Sequence, residues 1–184
     1  AYACADDKFS MNIRVTTEFP WSNMFAYNMF LRPTDAEIEN FDAEWNIVCA
    51  IQPQFVTSDT WTIDRIGAER SKWAYAFRTL WDRGVRLALG SDCPVEVLSS
   101  AKVLSAAIHR SPWSPNETLT LDEALYGYTL NSAYSIFRDD IIGSLEKGKF
   151  ADFIVYDCAY ENLGNSLAAG IVPCEAWTSG VRVR

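Results

Sequence analysis

Apolar positions along the chain alternate between short continuous runs and helical repeats, and that order predicts an α/β fold. Ile47 to Ile51 is an unbroken apolar run between Asn46 and Gln52-Pro53, the pattern of a strand buried on both faces. From Ala68 to Arg83, Trp73, Ala74, Phe77, Leu80 and Trp81 share one helical face, and Gly84 suits the left-handed residue that ends a helix. One long packed helix is expected there. Val85 to Leu89 reads as a second strand, so strand, helix and strand make a βαβ unit with parallel strands. The loops from Gln52 and from Gly90 then open at the carboxyl ends of the strands, where α/β folds assemble their sites.

Upstream, residues 12–19 are rich in β-branched side chains and read as a possible strand, whereas 20–30 carry aromatics without a clean period. Thr34 and Glu37 have capping-box spacing ahead of Ile38, Phe41 and Trp45, which predicts an amphipathic helix over 34–45. Downstream, 101–108 is expected to be helical. Thr120 and Glu123 repeat the capping-box spacing before Ala124, Leu125 and Tyr128. Phe153 to Tyr156 and Glu175 to Trp177 read as short strands, with turns at Gly148 and Gly180. The expected organisation is an irregular segment over 1–33, a barrel-like part over 34–142 and a β-rich part over 143–184.

Composition narrows the function. The 184 residues include 16 basic and 24 acidic side chains, a net charge of −8, which excludes nucleic-acid binding by phosphate neutralisation. A hydrophobic share of 49% suits a globular core, and no apolar stretch reaches the roughly 20 residues that span a bilayer. A soluble, cytoplasmic protein without a membrane partner is expected. The five cysteines are odd in number and never spaced as Cys-x-x-Cys, so they are expected to be reduced and mostly buried. A complete (β/α)₈ barrel takes about 250 residues, more than this chain offers.

Candidate chemistry centres on Gly90 to Glu96, where Asp92 directly follows a buried strand. A carboxylate held there can bind a metal or take a proton from water; alternatively it caps the turn before Pro94. Gln52-Pro53-Gln54 can add polar contacts, although a turn with solvated amides is the commoner outcome. His109, the sole histidine, sits beside Arg110 near a helix end and suits a helix-terminal role better than metal ligation. Cys93 is read as structural rather than as a thiolate ligand. Asn116-Glu117-Thr118 matches a glycosylation sequon of little weight, and Trp73 and Trp81 are assigned to the core. A catalytic zinc needs about three protein ligands, and one histidine does not supply them.

Several motifs in order resemble the C-terminal part of amidohydrolase-superfamily enzymes, specifically amidohydrolase family 3 with the N-substituted formamide deformylases. They are Ile51-Gln52-Pro53-Gln54, the run from Gly84 to Glu96, Leu119 to Leu125, Tyr128 to Tyr134 and Gly143 to Asp157. The resemblance implies an α/β fold made of the last strands and helices of a partial TIM-like barrel, followed by a small β-rich segment of a β-sandwich. It implies metal-dependent hydrolysis of carbon–nitrogen bonds other than peptide bonds, acting on a small-molecule amide or related substrate. Strand 47–51 would be the seventh barrel strand and 85–89 the eighth. Asp92 would match the aspartate that touches the metal, zinc or another divalent ion, and acts as general base toward the attacking water. The family's His-x-His pair, bridging side chain and later histidines have no counterpart here, so the chain alone is expected not to retain the metal. Two readings follow: the C-terminal part of an enzyme completed by another chain or by a longer gene product, or a non-catalytic remnant or interaction module whose open barrel edge is covered in a homo-oligomer. A small-molecule binder using the aromatic N-terminal segment is a third.

Overall fold

The computed structural model describes residues 48–72, 74–110 and 114–184; the strand expected at 12–19, the helix at 34–45, Cys4 and Trp73 lie outside these. Strand β1 (Val48–Ile51) is followed by the short helices α1 (Phe55–Ser58), α2 (Thr62–Ile66), α3 (Ala68–Ser71) and α4 (Phe77–Asp82), then by strand β2 (Arg86–Leu89). The two strands pair in parallel with Val48 beside Arg86 and Ile51 beside Leu89. The βαβ unit is therefore present, and Ile51, Leu87 and Leu89 point into one apolar core with Phe77, Leu80 and Val85. Gly84 is left-handed, with φ 81°, as the end of α4 requires.

The single helix expected over 68–83 is in fact two. Tyr75 adopts φ 56°, a conformation that an α-helix does not propagate. Long-range partners make the break stable: the Arg110 Nη2 donates to the Ala74 carbonyl at 2.8 Å, and the Tyr75 hydroxyl donates to the Asp59 carboxylate. Tyr75 is buried, and Arg110 stacks over its ring and that of Phe77. Glu117, also buried, accepts from the Thr79 backbone N–H at 2.9 Å and from its hydroxyl at 2.6 Å, satisfying the first turn of α4 from across the fold. Trp81 packs partly buried against the core, as expected.

Helix α5 (Ser100–Ile108) follows the loop after β2, with the Ser99 side chain accepting from the Lys102 N–H. Helix α6 (Leu121–Tyr126) opens on the expected capping box: Thr120 and Glu123 exchange backbone and side-chain hydrogen bonds. It continues through a π-helical segment, Gly127–Asn131, into α7 (Ser132–Ser135). This π segment lies against β2. Gly90 donates to the Ile51 carbonyl at 2.9 Å, so the Leu87 and Leu89 carbonyls point to the opposite edge of β2. Asn131 Nδ2 donates to the first at 3.0 Å and Ser132 Oγ to the second at 3.1 Å, so both carbonyls have side-chain partners. Gly127 makes this approach possible, because a Cβ there would stand 2.5 Å from Leu89 Cδ1 and 3.1 Å from the Leu87 carbonyl oxygen.

The tail holds β3 (Phe153–Val155), β4 (Glu175–Thr178) and β5 (Val181–Arg182) in an antiparallel sheet, with Phe153 stacked on Trp177. Gly148 and Gly180 are left-handed turn residues, as expected. The β-rich expectation is corrected in one respect, since helix α8 (Tyr160–Ala168) separates β3 from β4. Its Leu163 and Leu167 enter the core, and Gly164 faces Ile108 of α5. No helix among the described residues is long and apolar enough to cross a membrane.

Candidate functional site

Parallel pairing puts the carboxyl ends of β1 and β2 side by side, and the candidate residues follow from that end. Ser91 is buried, and Asp92 next to it adopts φ 58°, a left-handed conformation that aspartate tolerates better than most residues. The Asp92 carbonyl accepts from the Val95 N–H at 2.8 Å, closing a tight turn. The turn is thus made by the backbone of Asp92. Its side chain is exposed, and among the described residues nothing bonds its carboxylate. Such a group is open to a hydrogen bond from a ligand.

Gln54, expected to be solvated, is instead buried, and its Nε2 donates to the Val97 carbonyl at 3.0 Å. The amide joins the loop after β1 to the loop that carries Asp92. Burial is possible because the amide exchanges water for a main-chain acceptor. Pro53 beside it is also buried. Beyond Asp92 the loop exposes Val95, Val97 and Leu98, the last at 78%.

The remaining candidates lie elsewhere. His109 is exposed at the C-terminal end of α5, separated from the Asp92 loop by the whole helix, in the helix-terminal position expected for it. Cys93 is exposed. The expectation of mostly buried cysteines fails with it: Cys174 is also exposed, Cys49 and Cys158 are half-buried, and all four are free. Cys93 and Cys174 lie in connections outside the helices and strands, which explains their exposure. Asn116 of the sequon is exposed, but the following Glu117 is buried as the partner of Thr79.

The donor set of the described residues does not by itself make a metal site. Among the described residues no three His, Cys, Asp or Glu side chains converge as ligands, and the sole histidine, His109, is distant from Asp92. Asn131 and Ser132 lie in the Tyr128 to Tyr134 motif, and the signal for their hold on β2 is a pair of small polar residues four and five positions after a mid-helix glycine.

Comparison with known proteins decides the family: residues 27–183 match the amidohydrolase family. The chain belongs to the amidohydrolases. Its assignment to family 3, made on the Gly84 to Glu96 run and its companion motifs, holds. Among curated relatives, the N-substituted formamide deformylase of Arthrobacter pascens is 39% identical over 88 residues, 45% of this chain and 16% of that enzyme. A crystal structure of an uncharacterised metal-dependent hydrolase from Pyrococcus furiosus superposes with a TM-score of 0.58 at 32% identity, covering 67% of this chain and 25% of the other. A further likeness is of another kind. Fifty residues, 27% of the chain, are 58% identical to phosphoenolpyruvate carboxykinase (ATP) of Christiangramia forsetii and cover 9% of it. The chain thus spans between 9% and 25% of the length of these proteins.

Proposed function

We propose that the chain supplies the C-terminal part of a metal-dependent amidohydrolase that hydrolyses carbon–nitrogen bonds other than peptide bonds. The observation that carries this reading is the unbonded Asp92 carboxylate at the carboxyl end of a parallel strand pair, inside a family match over residues 27–183. In that role β1 and β2 are the last two strands of the barrel, and the tail sheet is one layer of the family's small β-sandwich. Asp92 accepts the proton of the attacking water, the work of a general base within hydrogen-bond reach. The likeness to the formamide deformylase favours a small N-substituted amide as substrate.

Zinc or another divalent ion belongs to the completed enzyme, whose remaining ligands come from residues outside the described part. The exposed Val95, Val97 and Leu98 support completion, because they gather apolar surface at the end where the rest of a barrel would stand. The test joins residues 48–183 to the part of the formamide deformylase that they do not match, and compares metal content, native mass and hydrolysis with those of the full chain. The full chain is expected to be metal-free and inactive, and the chimera to hold metal and hydrolyse N-substituted formamides. A folded chimera that stays metal-free overturns the reading. The lack of a three-ligand cluster among the described residues favours one alternative, an oligomerising module without catalysis. That reading predicts a stable self-dimer of the full chain.

A further inference from the structure

Gln54 is a buried amide in the connection that follows β1. It is 2% exposed, and its Nε2 reaches the Val97 carbonyl across 43 residues of sequence, at 3.0 Å. Its own carbonyl accepts from the Thr57 N–H at 2.9 Å, so the main chain that carries it is fixed as well. At the far end of this bond, the segment from Gly90 to Leu98 contains no helix or strand. Among the described residues its amides make two backbone bonds: Gly90 to the Ile51 carbonyl at the strand end, and Val95 to the Asp92 carbonyl within the turn. Val95, Val97 and Leu98 are exposed at 69%, 51% and 78%, so little apolar burial secures this stretch.

We infer that Gln54 is a positioning residue, whose amide clamps the Asp92 turn to the end of β1 and so fixes where the Asp92 carboxylate stands. Anchored by Gly90 at one end and through Val97 at the other, the turn is a closed loop. Released at Val97, it is tethered at one end. The clamp follows from the geometry alone; its value to hydrolysis rests on the function proposed for Asp92.

Amide hydrogen exchange on the full chain separates the two. The Val95 amide reports the turn, because it is bonded to the Asp92 carbonyl, and the Gly90 amide reports the strand pair. Gln54→Met keeps the volume and removes the donor. It is expected to speed Val95 exchange about tenfold, the order of one buried hydrogen bond, with Gly90 unchanged. Gln54→Glu supplies the conservative rescue. Burial favours the neutral carboxyl, which donates to the Val97 carbonyl as the amide did, whereas the carboxylate is repelled by it. Relative to the unsubstituted chain at each pH, this variant should exchange fast at Val95 near pH 7 and approach the original rate near pH 4. Equal acceleration of Val95 and Gly90, or no acceleration at Val95, overturns the clamp. A positive result stands even if Asp92 proves to have no part in hydrolysis.

Discussion

Two helical glycines offer the same chemical change with opposite expected signs. Gly127 begins the π segment against β2, and a methyl group there would meet Leu89 Cδ1 at 2.5 Å and the Leu87 carbonyl oxygen at 3.1 Å. Leu89 is 4% exposed and has little room to retreat, and the Leu87 carbonyl is held by Asn131. Overpacking of this kind costs about 1–3 kcal/mol, against a helix-propensity gain of up to ~1 kcal/mol for replacing glycine by alanine. Gly127→Ala should therefore destabilise the fold by about 1–2 kcal/mol. Gly164 lies inside α8, where a methyl group would meet Ile108 Cδ1 at 3.4 Å, an ordinary contact. Gly164→Ala should stabilise by about 0.5–1 kcal/mol. Urea unfolding followed by circular dichroism reads both midpoints, and the two variants should straddle the unsubstituted chain. A Gly127→Ala midpoint at or above that of Gly164→Ala would refute the close approach of the π segment to β2.

Asn131→Ala leaves the buried Leu87 carbonyl without its side-chain donor and should cost about 1–3 kcal/mol in the same assay. Desolvation pushes the Glu123 carboxyl up, but hydrogen bonds from Arg78 and Thr120 outweigh it and hold the group below its ordinary value of 4.5. The stability this contributes is present above that value and is lost as the pH falls through the lower folded-state pKa. Glu123→Gln should flatten the acid limb of the stability profile in that window, and an unchanged limb would deny the role of Arg78 and the capping box.

Local signals carried the parts of the fold that local physics decides. The β1 and β2 runs are continuous and apolar because both faces are covered, and the Thr120–Glu123 box needs no residue beyond its own turn. The break at Tyr75 was not legible, because its partners Asp59 and Arg110 lie 16 and 35 residues away in sequence. Helix α8 is hard to read from the sequence for a related reason. Its Asn162, Gly164, Asn165 and Ser166 are weak helix formers, and the packing of Leu163 and Leu167 outweighs them. At the site, the strand-end placement of Asp92 was readable from sequence, whereas its left-handed backbone was not. Nor was the burial of Gln54, which depends on a carbonyl 43 residues away.

The central claim concerns one carboxylate, and turnover by the completed chimera tests it most directly. Asp92→Asn keeps the size and the turn, because asparagine also tolerates the left-handed conformation, but it removes the proton acceptor. The account predicts a kcat lowered by at least ~10²-fold, with an unchanged circular dichroism spectrum and urea midpoint. Turnover equal to that of the unsubstituted chimera would contradict it.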